Sequence, residues 1–69
     1  MKVLIQDTFT KKYLTAIGEW VNDVRQGENY VSHRRAYEVA RATAVARFNI
    51  ILYSSLGGYA FNVDQGRNT

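Results

Sequence analysis

The residues best suited to catalysis are few. His33 is the sole histidine of the chain, cysteine is absent, and His33 directly follows Ser32, which raises a nucleophile-and-base pair. Neighbouring residues at a helix start diverge in direction, and no motif supplies an oxyanion site. The plainer reading has Ser32 as a helix N-cap, its hydroxyl accepting from a backbone N–H two or three residues on, with His33 in the first turn. The acids Asp7, Glu19, Asp23 and Glu28 fall in or near loops. Paired carboxylates can do acid–base work or hold a hard cation, but this spacing matches no calcium loop or other metal motif, so solvated turn residues are expected. One histidine and no cysteine exclude a Cys/His zinc site. Gly57-Gly58 could form an anion nest. Without a following Lys and helix the pair reads as a hairpin turn.

The basic residues are more informative. Nine Lys and Arg face six Asp and Glu. The segment Ser32 to Arg47 holds Arg34, Arg35, Arg41 and Arg47 against Glu38 alone, so the whole net charge of +3 falls there. Read as a helix, it presents Arg34, Arg35 and Arg41 as a possible contact for a polyanion or a protein partner, because guanidinium forks to phosphate and carboxylate. Arg34–Glu38 and Glu38–Arg41 also sit at helical pairing distance, which neutralises part of the stripe. A solvated helix face is the alternative.

The elements that must position these residues follow from pattern. Residues 2–6 alternate as a strand, with Val3 and Ile5 on one face and Lys2, Leu4 and Gln6 on the other. Residues 7–12 are polar except for Phe9 and form a hairpin bend in which Asp and Thr side chains bond nearby backbone. Further strands are expected at 13–16 and 19–22, joined through Gly18. Residues 23–29 form a loop, and Tyr30 and Val31 return to the core. After Ser32, a run rich in alanine predicts a helix over 33–47 with Ala36, Tyr37, Ala40 and Ala44 on its inner face. No Glu or Gln follows at the capping-box position, which is Arg35. Residues 49–53 and 59–64 complete the strands. Tyr59, Phe61 and Val63 fall on one face of the last, and Ala60, Asn62 and Asp64 on the other. Residues 65–69 are expected to be a frayed tail. The fold class is α+β: a single antiparallel sheet with one helix packed on one face, in the order βββαββ.

Size and composition set bounds. With 69 residues there is room for one domain, whose core must be economical. Disulfides are excluded. Nine aromatic rings spread along the chain supply area instead, and self-association is a second source of stability. The hydrophobic fraction of 46% against 22% charged is that of a globular domain. The longest apolar run, at residues 50–53, is far short of a membrane span. After Met1-Lys2-Val3-Leu4-Ile5, Gln6 and Asp7 end the apolar start before a secretory h-region forms. A cytoplasmic location is expected.

One resemblance rests on Leu4-Ile5-Gln6, Thr8, Tyr13-Leu14-Thr15 and Gly18-Glu19-Trp20, followed by Tyr30, Ser32, Ala36 and Ala40. Across roughly residues 4 to 52 this resembles small bacterial proteins of β-hairpin-plus-helix build. The resemblance implies a fold and brings no catalytic residues.

The expectation is therefore a non-enzymatic protein-interaction module. It needs no cofactor or metal, and its partner is a second copy (a homodimer) or another protein. Weak nucleic-acid binding through Arg34, Arg35 and Arg41 is the alternative. Open sheet edges without proline carry the first idea, and the arginine stripe carries the second.

Overall fold

The computed structural model describes residues 1–68. It shows β1 (Lys2–Asp7), β2 (Tyr13–Leu14), β3 (Trp20–Val21), a 3-10 turn (Val24–Gln26), α1 (His33–Arg41), β4 (Arg47–Ser54) and β5 (Tyr59–Arg67). The strands form one antiparallel sheet in the order β3-β2-β1-β4-β5, so the α+β arrangement and the order βββαββ stand as expected.

The centre of the sheet is the β1–β4 pair, in register from Lys2↔Tyr53 to Asp7↔Phe48. Both strands are buried on both faces, which suits their runs of β-branched and aromatic side chains. On the inner face Val3, Ile5, Phe48 and Ile50 meet Ala36 and Ala40 of α1, with Leu14, Tyr30, Trp20 and Val39 around them. Alanine at the contact lets the helix backbone lie close to the sheet. On the outer face Leu4, Ile51 and Tyr53 pack with Tyr13 and Val24. The 3-10 turn covers this second cluster. Asp23 caps it by accepting from Arg25 N, and Lys2 Nζ ties it down by donating to Arg25 O at 3.0 Å.

β2 meets β1 only at Gln6↔Tyr13. The remaining edge of β1 is satisfied by the loop: Tyr30 N donates to Val3 O at 2.9 Å, and Val3 N donates to Asn29 Oδ1 at 3.0 Å. Strands 2 and 3 are accordingly shorter than the expected 13–16 and 19–22. Tyr30 returns to the core as expected, but Val31 does not; it is 78% exposed with φ 69°. Ser32 N donates back to Tyr30 O across it, forming a γ-turn whose positive φ a β-branched residue adopts only under strain.

Ser32 is the N-cap, its Oγ accepting from Arg35 N at 3.1 Å. The helix expected to reach residue 47 stops at Arg41. Thr43 N, Thr43 Oγ1 and Asn68 Nδ2 all donate to Ala40 O, at 3.1, 2.8 and 2.9 Å. These donors occupy the carbonyl that the next helical turn would use. Ala44 and Ala46 are therefore exposed loop residues despite their propensity, and Arg47 opens β4 instead of closing the helix.

β5 also differs from expectation. It extends to Arg67, paired with Arg47. Asn68 then anchors the chain: its N donates to Ala46 O at 2.8 Å, and its Nδ2 donates to Ala40 O and Val45 O at 2.9 Å each. The frayed tail expected from residue 65 is thus ordered strand through Arg67, and residue 69 lies outside the described residues. A β-bulge interrupts the β4–β5 register, with Ile50↔Asp64 followed by Ile51↔Asn62. The extra residue is Val63, and it shifts the alternation by one. Asp64 and Phe61, expected on opposite faces, both oppose inner-face residues of β4, Ile50 and Leu52.

Candidate functional site

Ser32 and His33 form no catalytic pair. The Ser32 hydroxyl is held by the helix start, and the His33 ring turns to β5, where Nε2 lies 2.7 Å from Asp64 Oδ2. Both side chains are partly solvated. The histidine holds the Asp64 carboxyl below its ordinary value, aided by Gln65 N donating to the same carboxylate. This clasp joins the helix N-terminus to the bulged strand. It escaped sequence reasoning because the bulge carries Asp64 across the sheet. His33 also meets Tyr37 edge-on at 6.4 Å, and Tyr37 meets Phe48 at 5.2 Å.

The acids stay apart. Asp7 Oδ1 accepts from Phe9 N at 2.8 Å and closes the hairpin bend, as expected of a turn carboxylate. Asp23 takes Arg25 in a forked pair at 3.1 and 3.2 Å, and hydrogen bonding to Arg25 lowers its pKa. Among the described residues no three His, Cys, Asp or Glu side chains gather as a metal site would require. Gly58, with φ 69°, sits in the turn between β4 and β5, where Gly58 N donates to Ser54 O at 2.9 Å.

The arginine stripe is divided. Arg34 Nε donates to Glu38 Oε1 at 3.1 Å, the pair expected from spacing. Arg35 borders a groove of about 680 Å³ between α1 and the β2–β3 hairpin, floored by Leu14, Trp20, Tyr30 and Val39. Arg41 reaches the end of the sheet, where Nη1 lies 3.4 Å from Arg67 O. All three are exposed on α1. The structure also gathers a second set. Arg47 and Arg67 are direct cross-strand partners, and Arg41 stands beside them. Local pattern places residue 67 in a tail and residue 47 in the helix, so their meeting is not legible in the sequence.

β5 carries three exposed large apolar side chains along one strand. Tyr59, Phe61 and Val63 are 63, 55 and 50% exposed. The rings of Tyr59 and Phe61 stack at 6.1 Å with 27° between planes, and the Tyr59 ring lies back against Gly57. β5 is an edge strand of nine residues, whereas β3 at the opposite edge has two. Toward its C-terminal end β5 is partly closed, since Gln65 N is taken by Asp64 Oδ1 and Arg67 O by Arg41. The open stretch is Tyr59–Val63.

Together these features define a small α+β domain with a helix-backed sheet and one open apolar edge. No family model, curated protein or solved structure matches the chain. Among the described residues no helix is long and apolar enough to cross a membrane.

Proposed function

We propose that this chain is a non-enzymatic interaction module that pairs along the open edge of β5 with a second copy of itself. The observation that carries the reading is the coincidence of an unpaired strand edge with three exposed apolar side chains over residues 59–63. An edge strand offers a row of free N–H and C=O groups, which proteins usually blunt with charge, proline or a bulge. Here the bulge at Val63 and the first charge at Asp64 close the stretch at its C-terminal end, so Tyr59–Asn62 carry neither charge, proline nor bulge.

A second copy fits because the segment is self-complementary. An antiparallel pairing with its two-fold axis at Phe61 sets Phe61 opposite Phe61 and Tyr59 opposite Val63. Cross-strand aromatic and β-branched pairs of this kind each contribute about 0.2–1 kcal/mol. Asp64 then faces Gly58, so no like charges oppose. Pairing would also add mass-action stability to a small domain.

The test is molar mass by multi-angle light scattering over a wide concentration range, for wild type and for Phe61→Lys. The reading expects a mass rising toward the dimer in wild type and a monomer at every concentration in Phe61→Lys, with unchanged circular dichroism. A wild-type monomer at the highest concentration rejects it, as does a dimer that Phe61→Lys leaves intact.

A further inference from the structure

The Arg47–Arg67 pair is costly to the fold as it stands. Direct antiparallel partners have Cα atoms roughly 4.5–5.5 Å apart, and like charges placed so are destabilising. Among the described residues neither guanidinium has a carboxylate within ion-pair distance. The nearest acid along the sheet, Asp7, pairs with Phe48 on the inner face and is engaged with Phe9 N. Counting from the inner-face residues Phe48 and Asp64, both arginines belong to the outer face. Between them lies a depression of about 290 Å³ lined also by Gln65 and Gly66.

More positive charge gathers at this end. The hairpin bend carrying Lys11 and Lys12 adjoins the start of β4, where Thr8 N donates to Arg47 O at 3.1 Å. Arg41 approaches from the helix. Of nine cations in the chain, Lys11, Lys12, Arg41, Arg47 and Arg67 are at this end with Asp7 as the one acid. The other four cations face five acids. This end of the sheet, with Arg41 at the close of α1, thus carries the excess of positive side chains. In the same bend stands Phe9, 94% exposed, a free ring amid the cations.

We propose that this end of the domain binds single-stranded nucleic acid, with Arg47 and Arg67 on neighbouring phosphates and Phe9 as a stacking platform for a base. Guanidinium forks suit phosphate oxygens, and ring stacking serves any base. An exposed ring beside paired arginines suits a strand whose bases are splayed and free to stack. A membrane surface is the weaker fit. The other strongly exposed apolar side chains of the turns lie elsewhere: Ile17 and Leu56 in the β2–β3 and β4–β5 turns, and Val31 beside the start of β1. Phe9 therefore stands alone as an insertable group at the basic end. Binding at this site does not depend on pairing along β5.

Fluorescence anisotropy with a dye-labelled oligo-dT tests the proposal. Wild type should bind at low salt, with log K falling linearly against log salt by about 0.7 for each phosphate contacted. Arg47→Gln/Arg67→Gln should reduce that slope by about 1.4. Phe9→Ala should weaken binding about tenfold at fixed salt and leave the slope unchanged. Arg34→Gln, away from the site, should alter neither, and melting curves should establish that every variant folds. No binding at low salt overturns the proposal, as does a slope that the double variant leaves unchanged. Tighter binding to phosphatidylserine vesicles than to the oligonucleotide, or equal displacement by poly-glutamate, also overturns it.

Discussion

Gly66→Ala isolates one packing contact with a decisive sign. Gly66 lies in β5 opposite Phe48, whose side chain is fully buried. A Cβ at residue 66 would press on the far end of the Phe48 ring, with Cε1 at 2.7 Å and Cε2 at 2.9 Å and Cζ nearer still. Gly66 has no positive φ, so alanine is not strained there by backbone conformation. In a strand interior without this ring, replacing glycine by alanine would stabilise by roughly 0.5–1 kcal/mol. The ring cannot withdraw, because it is enclosed by Tyr37 and the inner core. Overpacking of this kind costs about 1–3 kcal/mol, and the enclosure puts the expected cost near ~3 kcal/mol. For a domain of this size each kcal/mol moves the melting temperature by roughly 4–8 °C, so a fall of roughly 12–24 °C is expected by circular dichroism. Phe48→Leu should relieve the clash, making the double variant more stable than the sum of the singles by at least ~1 kcal/mol. A Gly66→Ala melting temperature equal to or above that of wild type would refute the argument.

Three further outcomes are expected. Asn68→Ala removes the donor shared by Ala40 O and Val45 O. It should cost about 1–3 kcal/mol by urea titration, as the loss of partly buried hydrogen bonds does. Val31→Asn should raise stability by about 1 kcal/mol, because asparagine tolerates the positive φ that strains valine; the same titration reads it. Asp64 has a folded pKa lowered beneath its ordinary 3.8 by His33. The stabilisation it contributes is present above 3.8 and is lost as pH falls through the folded value. Melting temperatures followed from pH 6 downward should therefore drop less steeply in Asp64→Asn than in wild type through that acid range.

Much of the architecture was legible because local signals agreed with the packing. Alternation marked β1, Ser32 marked the helix start, and Gly57-Gly58 marked the last turn. The errors lie where a distant side chain overrides a local preference. Alanine propensity argued for helix through residue 46, but Asn68 and Thr43 take the carbonyl at Ala40. Polarity argued for a loose tail, but Arg67 pairs with Arg47 and Asn68 is held by Ala46. The extra residue in β5 leaves no local mark on a sequence that alternates smoothly from Tyr59 to Asp64. That bulge decides which residues meet His33. The candidate surfaces were therefore half legible. The apolar set Tyr59, Phe61 and Val63 was visible as a pattern, whereas the arginine cluster required the tail and the helix end to be placed first.

The central claim, that β5 pairs along residues 59–63 with a second copy, is tested most directly by amide hydrogen exchange at two protein concentrations. The account predicts slower exchange for the outward-facing amides of Tyr59–Val63 in the concentrated sample, with no concentration dependence at the other edge strand, Trp20–Val21. Equal exchange of the β5 amides at both concentrations would contradict it.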